Sequence, residues 1–377
     1  MERQLITPRP DFGKKLESIG LSFHSWDNYW NEEACYRFTA REIDEIEAAT
    51  ETLHSMYMNA MRKICADNRL GELGIPAAYH EAVAQSFRNG DFSIYGRFDL
   101  AYDGKSPPKM LEYNADTPTS LLESAVAQWY WMEDCFPQHD QFNSLHERLI
   151  ERWKALPGDE MVHVASLAEN EEDWVCTTYM QDCITQAGRT TKHIFVEDIG
   201  WDESRKCFVD LGNQPIATLF KLYPWEWIMK ETFGQYVPGC ATRFVEPLWK
   251  SALSSKAMLP ILWEMYPDHP NLLPAYFEAG RLSSFARKPF FSREGANVEL
   301  RKQGEMIAHD TGPYGAEGYV YQELCTLPQF DGKYPVIGSW VVDGQPAGMC
   351  VREDISPITT NMSNFVPHYF TADTEEE

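Results

Sequence analysis

The stretch RFDLAYDGKSPPKMLEYNADTPTS, residues 97–120, predicts two antiparallel strands joined by a tight turn. With the turn at DGKSPP, symmetric pairing sets Asp99 opposite Glu112 and Arg97 opposite Asn114. Because side chains two apart on a strand share a face, these side chains should converge, with cross-strand Cβ atoms about 5 Å apart. Like charges directly opposite each other destabilise a sheet. The hairpin therefore needs a partner between its two carboxylates.

That partner can be a metal ion. Two carboxylates and an amide oxygen, with no thiol or imidazole, are hard oxygen ligands that suit Mg²⁺ shared with phosphate oxygens. Arg97 cannot bind a metal, but it fits if an anion such as a transferring phosphoryl group lies there too. The alternative is a surface hairpin with solvated charges and an Arg97–Asp99 ion pair, and the spacing favours neither interpretation. If the carboxylates repel each other, removing one of them would stabilise the free protein.

Composition restricts the class of protein. The 377 residues suffice for two or three units, and 44% hydrophobic with 24% charged residues is typical of a soluble globular protein. A net charge of −24 disfavours nucleic acid and anionic membranes as partners, because both reward a basic face. A bound metal or cationic partner suits it better, although an acidic surface alone also explains it. The sequence shows no signal peptide, membrane span or CxxC pair, so reduced thiols in a cytoplasm are expected.

Hydrophobic periodicity predicts two helices around the hairpin. Residues 39–66 predict a long helix whose first turn carries a capping box formed by Thr39 and Glu42. A second helix is predicted to start after the hairpin, with Thr117 as its N-cap and Pro118 at its first position.

From about residue 160 the pattern changes to that of an α/β unit. The segments MVHVASL, TTYMQDCITQAG, HIFVE and IATLFKL predict a β-α-β unit of a doubly wound sheet. From about residue 245, LWKSALSSKAMLPILWEMYP predicts a helix, and four strands are expected after it: FARKPFF, GYVYQEL, YPVIGSWVV and AGMCVRE. The last two strands should meet in a turn at Asp343-Gly344, and the tail TADTEEE should be disordered.

The small-residue loop SREGANV follows the strand FARKPFF. Backbone N–H groups of such a loop can bind phosphates, but the loop matches neither a Walker motif nor a dinucleotide fingerprint. Lys288 enters this loop, Lys256 lies upstream, and YQEL is a candidate hinge strand. This order is the one expected of an ATP-grasp nucleotide cleft, although each lysine could equally be a solvated surface amine.

The chain resembles the synthetase portion of glutathionylspermidine synthase, an ATP-grasp amide ligase related in layout to eukaryotic glutathione synthetase. The resemblance runs over nearly the whole chain, and it implies a glutathione synthetase-like ATP-grasp fold with an associated doubly wound, pre-ATP-grasp α/β unit. Its most specific parts are RFDLAYDG, EYNADTPTS, SSKAMLPILWEMYPDHPNLLPA, KPFFSREGANV, YQELCTLPQFDGKY and AGMCVRED.

The resemblance also implies site residues. Asp99, Glu112 and Asn114 match magnesium ligands, while Arg97 and Arg352 match catalytic arginines around the transferring phosphoryl group. The positions implied for ATP binding are Arg97, Phe98, Asp99, Lys256, Lys288, Gly295 and Gln322. Those implied for the substrates are Thr117 and Thr119, near a thiol peptide, and Glu171 and Glu172, near a polyamine.

Three regions are expected. They are 1–150, a helical region with the metal-binding hairpin; 151–240, a pre-ATP-grasp-like substrate unit; and 241–377, the nucleotide-binding region with a lid at about 257–318. Residues 294–297 of the loop SREGANV read Glu-Gly-Ala-Asn where the bifunctional relatives have Cys-Gly-Ser-Asn, and we expect no amidase before the synthetase. We therefore expect a stand-alone branch whose acid and amine need not be glutathione and spermidine.

The function implied is that of an ATP- and Mg²⁺-dependent ligase. It would join a carboxylate to an amine, such as a polyamine, through an acyl phosphate, and positioning and charge neutralisation would carry most of the catalysis. The alternatives are a small-molecule kinase and an ATP-binding regulatory protein with only ATPase activity. Release of ADP and phosphate only when acid and amine are both present would separate the ligase from either.

Overall fold

The computed structural model describes residues 1–372 and divides their strands among five sheets. None of the helices in these residues is long and apolar enough to cross a membrane. The strands are β1 Glu2–Leu5, β2 Ala34–Thr39, β3 Tyr95–Ala101, β4 Lys109–Asn114, β5 Val162–Ser166, β6 Thr191–Phe195, β7 Gly200–Asp202, β8 Cys207–Val209, β9 Thr218–Lys221, β10 Arg243–Val245, β11 Ala275–Tyr276, β12 Phe285–Pro289, β13 Glu299–Lys302, β14 Glu305–His309, β15 Tyr319–Glu323, β16 Tyr334–Val342, β17 Gln345–Asp354, β18 Asn364–Val366 and β19 His368–Thr371. The helices are α1 Phe12–Ser18, α2 Ala40–Ala66, α3 His80–Asn89, α4 Gln128–Cys135, α5 Leu145–Lys154, α6 Glu171–Gln186, α7 Trp225–Ile228, α8 Lys250–Ser254 and α9 Met258–Met265.

The long helix α2 begins as the sequence predicts. The Thr39 hydroxyl accepts a hydrogen bond from the backbone N–H of Glu42, and the Glu42 carboxylate accepts one from the N–H of Thr39. This capping box satisfies backbone donors that the first helical turn leaves free. The apolar face of α2, including Ile46 and Leu53, is buried in the largest hydrophobic core. That core fixes the helix against the back of the hairpin.

The predicted hairpin is part of a five-stranded antiparallel sheet with the order β18-β17-β16-β3-β4, which we call the hairpin sheet. Its register sets Arg97 opposite Asn114 and Asp99 opposite Glu112, so the predicted pairing is confirmed. The turn between β16 and β17 lies at Asp343-Gly344, where both residues have positive φ, as a tight hairpin turn requires.

The helix predicted to start at Thr117–Pro118 starts later. Helical backbone begins at residue 121 and passes through a π-helical segment, Glu123–Ala127, into α4. Thr117 is therefore not an N-cap, and the residues before 121 form a loop. Long-range hydrogen bonds hold this loop, including one from Arg97 Nη1 to the carbonyl oxygen of Thr119 at 2.7 Å. These tertiary contacts outweigh the local helix-start signal of Pro118.

The α/β unit contains a four-stranded parallel sheet with the order β10-β9-β5-β6, which we call the parallel sheet. Helix α6 connects β5 to β6, as the β-α-β prediction requires. The strand order reverses between β5 and β9, and ligands in such sheets bind outside the carboxyl ends of the strands at this switch point. The parallel sheet thus presents a binding edge to the rest of the molecule.

The remaining large sheet has the order β11-β15-β12-β13-β14 and is antiparallel throughout; we call it the lid sheet. Before it, the single helix predicted from residue 248 is divided into α8 and α9, and Lys256 lies in the break between them. Helix α9 is buried in the largest core through Met258 and Leu262. Of the tail expected to be disordered, Thr371 ends β19, and residues 373–377 lie outside the described residues.

Candidate active site

A cleft of about 540 Å³ lies where the hairpin sheet, the lid sheet and the carboxyl edge of the parallel sheet meet. The parallel sheet contributes Leu167 after β5 and Leu222 after β9, on either side of its switch point. The predicted site residues that line the cleft are Arg97, Asp99, Glu112, Asn114, Thr117, Thr119, Glu172, Lys288, Gly295, Gln322 and Arg352.

Asp99 lies between two guanidinium groups. Its Oδ1 accepts from Arg97 Nε at 2.9 Å, and its Oδ2 accepts from Arg352 Nη2 at 2.8 Å. Burial lowers the pKa of Arg97, but the charge and hydrogen bond of Asp99 and the other acidic groups nearby together outweigh burial and raise that pKa above its usual value. Arg97 therefore stays charged at every physiological pH.

Glu112 is paired with a lysine rather than with the opposite carboxylate. Lys256 Nζ lies 3.1 Å from Glu112 Oε2 and also donates to the carbonyl oxygen of Ser292 at 2.8 Å. Burial raises the pKa of Glu112, but the charges of Lys256 and Lys288 outweigh it and lower that pKa to about 2. The expectation that Asp99 and Glu112 repel each other is therefore wrong for the free protein, because a cation lies beside each carboxylate. Removing either carboxylate would leave a buried cation unpaired, which destabilises.

Lys288 is positioned by the strands on both sides of the cleft. Its Nζ donates to the carbonyl oxygen of Leu111 and to Gln322 Oε1, each at 2.8 Å. Burial lowers the pKa of Lys288 to about 8, and the charge of Glu112 only partly opposes this. The Gln322 amide donates in turn to the carbonyl oxygen of Met110 at 3.0 Å. Gln322 thus orients Lys288 between the two sheets.

The donor set fits Mg²⁺ only if a ligand supplies further oxygens. Asp99, Glu112 and Asn114 lie on adjacent strands and face the same cleft. Within residues 1–372, no cluster of three or more His, Cys, Asp or Glu side chains could hold a metal ion. Two carboxylates and an amide are too few for a complete protein cage, but they match the way Mg²⁺ is shared with substrate phosphates.

Next to the lysines the cleft becomes apolar, which suits a planar base rather than another charged group. Leu111 from β4, Ala286 from β12 and Val336 from β16 line this part. The loop of residues 292–298, which we call the glycine loop, covers it from the lid side. At Gly295, φ is +74°, and a Cβ atom there would lie 2.6 Å from Ile358 Cγ2, so only glycine fits.

Three predicted residues do not line the cleft: Lys256, Phe98 and Glu171. Lys256 is buried and lies behind Glu112, with which it is paired. Phe98 is fully buried and its ring stacks on that of Tyr113 with centroids 3.9 Å apart, because side chains alternate along β3 and Phe98 faces the core. Glu171 is exposed and accepts a hydrogen bond from Ser22 Oγ at 2.5 Å. Of the predicted acidic pair, only Glu172 lines the cleft.

Comparison with known families gives a match over residues 3–371 to the model described as "Glutathionylspermidine synthase preATP-grasp". The chain belongs to this family.

Two similar proteins and one solved structure agree with this family assignment. A protein of Haemophilus influenzae, named as a proposed acid–amine ligase, is 43% identical, with 96% of this chain and 97% of that protein covered. The bifunctional glutathionylspermidine synthetase/amidase of Escherichia coli is 28% identical over 88% of this chain, which spans 58% of that protein. A glutathione synthetase-like effector from Globodera pallida, in its apo form, matches with a TM-score of 0.58 at 10% identity, covering 98% of this chain and all of that one. The expected fold and the expected class of carbon–nitrogen ligase are confirmed.

In this member of the glutathionylspermidine synthase family, sequence reasoning missed part of an acidic wall of the cleft, which Glu172 and Asp173 form. Asp173, from the first turn of α6, is nine-tenths buried and lines the cleft beside Glu172. Burial, reinforced by the charge of Glu172, raises the pKa of Asp173 to about 7. Glu294, in the glycine loop, also lines the cleft, and burial raises its pKa. Burial likewise raises the pKa of Glu123, behind the cleft, to about 7. The acidic run ENEED, residues 169–173, signalled carboxylates near the cleft. Which of them face the cleft depends on where α6 begins.

Arg293 was missed as well. Its Nη2 donates to the hydroxyl of Thr117 at 2.5 Å and to the carbonyl oxygen of Thr117 at 3.1 Å. The glycine loop of the lid sheet is thereby bonded to the loop that follows the hairpin. Sequence gave no signal for this contact, because 176 residues separate the two partners.

Proposed function

We propose that this protein is an ATP- and Mg²⁺-dependent acid–amine ligase that forms an amide through an acyl phosphate. The observation that carries the proposal is the arrangement of charge in one cleft. Two acidic side chains, Asp99 and Glu112, alternate there with cations from separate elements of the fold. The cations are Arg97, Arg352, Lys256 and Lys288.

In the first step an oxygen of the acid attacks the γ-phosphorus of ATP, and ADP leaves. Lys256 and Lys288 would bind the nucleotide phosphates, and Arg97 with Arg352 would stabilise the charge on the phosphoryl group in transit. Magnesium held by Asp99, Glu112 and Asn114 would neutralise the phosphate oxygens and orient them. The apolar part of the cleft would accept the base.

In the second step the amine nitrogen attacks the acyl carbon, and inorganic phosphate leaves. Thr119 is hydrogen-bonded to Arg97, and Thr117 lines the cleft in the same loop. The acid would therefore lie along this loop, with its carboxylate towards the phosphoryl group. The acidic wall of Glu172 and Asp173 would attract a cationic amine. The amine must lose a proton before it attacks, and a carboxylate of this wall or a water molecule would accept that proton.

The names of the relatives suggest the first compounds to test. The Escherichia coli relative is named for glutathione and spermidine, a peptide acid and a polyamine. Glu294 stands in the glycine loop where the bifunctional relatives have cysteine, so the pocket for the acid or the amine differs in charge. A panel should therefore include other small carboxylates and amines.

The test is a screen of acids against amines with MgATP, read by the mass of the condensed product. We expect ADP and phosphate to be released in proportion to product, and hydroxylamine to trap the acyl phosphate as a hydroxamate when the acid is present. AMP as the main nucleotide product would contradict the proposal. A stable phosphorylated product would indicate a kinase, and ATP hydrolysis indifferent to both substrates would indicate a regulatory protein.

A further inference from the structure

A buried ion pair joins the parallel sheet to the loop that follows the hairpin, residues 115–120. Lys221 Nζ lies 2.6 Å from Asp116 Oδ1, and the two side chains are only 2% and 3% exposed. Lys221 is the last residue of β9, at the carboxyl edge where the parallel sheet faces the cleft. Asp116 directly precedes Thr117, the first cleft-lining residue of the loop.

Both members of the pair are fixed by further contacts. Asp116 Oδ2 accepts a hydrogen bond from the backbone N–H of Trp225 at 2.8 Å. The amino group of Lys221 lies 4.4 Å from the centre of the Trp225 ring. Both carboxylate oxygens of Asp116 are therefore bonded to the parallel-sheet unit, and the carboxylate has no freedom to turn towards the cleft.

The pair sets the position of groups that face the substrates. Within four residues of Asp116, the loop presents the carbonyl oxygen of Thr119 to Arg97 and the hydroxyl of Thr117 to Arg293. Glu226, the neighbour of Trp225, lies 3.9 Å from Arg293 Nη1. One turn of the parallel-sheet unit thus contacts both the 115–120 loop and the glycine loop.

Stability alone does not explain such a pair. Desolvating two charges costs about as much as their attraction returns, and well-packed apolar residues in their place are often neutral or stabilising. What an ion pair of this geometry supplies is a fixed distance between two elements, here separated by 105 residues.

We propose that the Asp116–Lys221 pair is a positioning device for the acid substrate. It holds the 115–120 loop so that the acid carboxylate lies in line with the phosphoryl group at Arg97, and it leaves nucleotide binding unaffected. This inference rests on the proposed function for the identity of the substrate, whereas the ordering of the loop can be measured without any substrate.

The test variant is Asp116→Asn combined with Lys221→Met in the full chain. The double change removes both charges, so no buried charge is left unpaired and the fold is retained. The matched control is Glu32→Gln combined with Arg9→Met. That pair is equally buried, with 2.7 Å between Arg9 Nη2 and Glu32 Oε1, and neither residue lines the cleft.

Two measurements decide the matter. We expect amide hydrogen exchange of peptides spanning 115–120 to accelerate in the test variant and to match wild type in the control. With the acid and amine found in the screen, kcat/KM for the acid should fall by roughly 10²-fold, the size of a 1 Å misplacement. KM for ATP should stay within about twofold of wild type, because the phosphate-binding cations are untouched.

Unchanged exchange of the 115–120 peptides, or an unchanged kcat/KM for the acid, would overturn the proposal. Equal losses in the test and control variants would also overturn it, because they would show general loosening rather than positioning. If wild-type protein condenses no pair in the screen, the proposed function fails, and the exchange measurement alone then decides whether the pair orders the loop.

Discussion

At the scale of single residues, Asp99 and Glu112 are each bound by cations in the free protein. Arg97 and Arg352 hold Asp99, and Lys256 holds Glu112. If the proposed function is correct, the magnesium ion of MgATP would bind the carboxylates while its phosphates bind the cations. Such an exchange of partners would leave no charge buried and unpaired.

Replacing Arg97 tests whether its charge stabilises the phosphoryl group during transfer. Arg97→Met should cut turnover by roughly 10²-fold or more, the size expected for losing one preorganised charge partner of the transition state. ATP binding should stay largely intact, because both lysines remain. Steady-state kinetics beside nucleotide titration measures the two effects, and Arg281→Met, on a side chain stacked on Tyr276 outside the cleft, is the control. Equal losses of binding and turnover would contradict the assignment.

The lowered pKa of Lys288 predicts that nucleotide binding depends on pH. Its pKa of about 8 lies below the ordinary value of 10.5, so the charge is present below pH 8 and is lost as pH rises through it. Phosphate binding favours the charged form, and the affinity for MgATP should therefore weaken above pH 8 by up to about tenfold per pH unit. Isothermal titration calorimetry from about pH 7 to about pH 9.5 measures this change in affinity.

Lys288→Arg is the matched variant for that titration, because a guanidinium stays protonated throughout the range. Its affinity should be nearly independent of pH, whatever its absolute value. The same slope in both proteins would show that another group titrates.

At the scale of elements, the glycine loop and the lid sheet are the parts that could open. The lid was expected at about 257–318, but α9 and the residues Phe290 and Phe291 pack in the largest core, so we propose that the mobile part is confined to residues 292–318. The hairpin of β13 and β14 exposes Met306 and Ile307, each about half exposed. A segment with few buried contacts opens at low free-energy cost and becomes ordered when a ligand binds.

Trypsin can test the lid. Cleavage after Lys302, at the exposed turn between β13 and β14, should be rapid in the free protein and should slow markedly with MgATP. The turn between β7 and β8 is the internal control, since Lys206 is exposed there and does not line the cleft. If MgATP protects both turns equally or neither, the lid hypothesis is wrong.

At the scale of the whole molecule, the cleft draws on three sheets that are distant in sequence. A ligand that bridges them should stabilise the fold, by about 2.7 kcal/mol at a concentration of 100 Kd. We expect MgATP to raise the melting temperature by a few degrees, and ATP with excess EDTA to do much less. Asp99→Asn should lose most of the magnesium-dependent part. An equal shift with and without magnesium would contradict the metal site.

The division of the chain into regions with boundaries near residues 150 and 240 stays a prediction.

Local patterns in the sequence were sufficient for the elements that carry the proposed metal site. The period of two along each strand, with a short symmetric turn, determined that Asp99 faces Glu112, and Thr39 with Glu42 determined where α2 begins. These features depend on neighbours in the chain, and sequence reasoning can follow them. For the same reason the resemblance in these motifs identified the family.

Tertiary structure decided the rest, because the deciding partners are far apart in the chain. Arg352 and Asp99 are 253 residues apart and Lys221 and Asp116 are 105 apart, and no local pattern reveals either contact. The loop before residue 121 avoids the helix that Pro118 favours because such distant hydrogen bonds stabilise it more than a first helical turn would. Burial likewise chose Asp173 over Glu171, since the orientation of α6 on the parallel sheet determines which carboxylate faces the cleft.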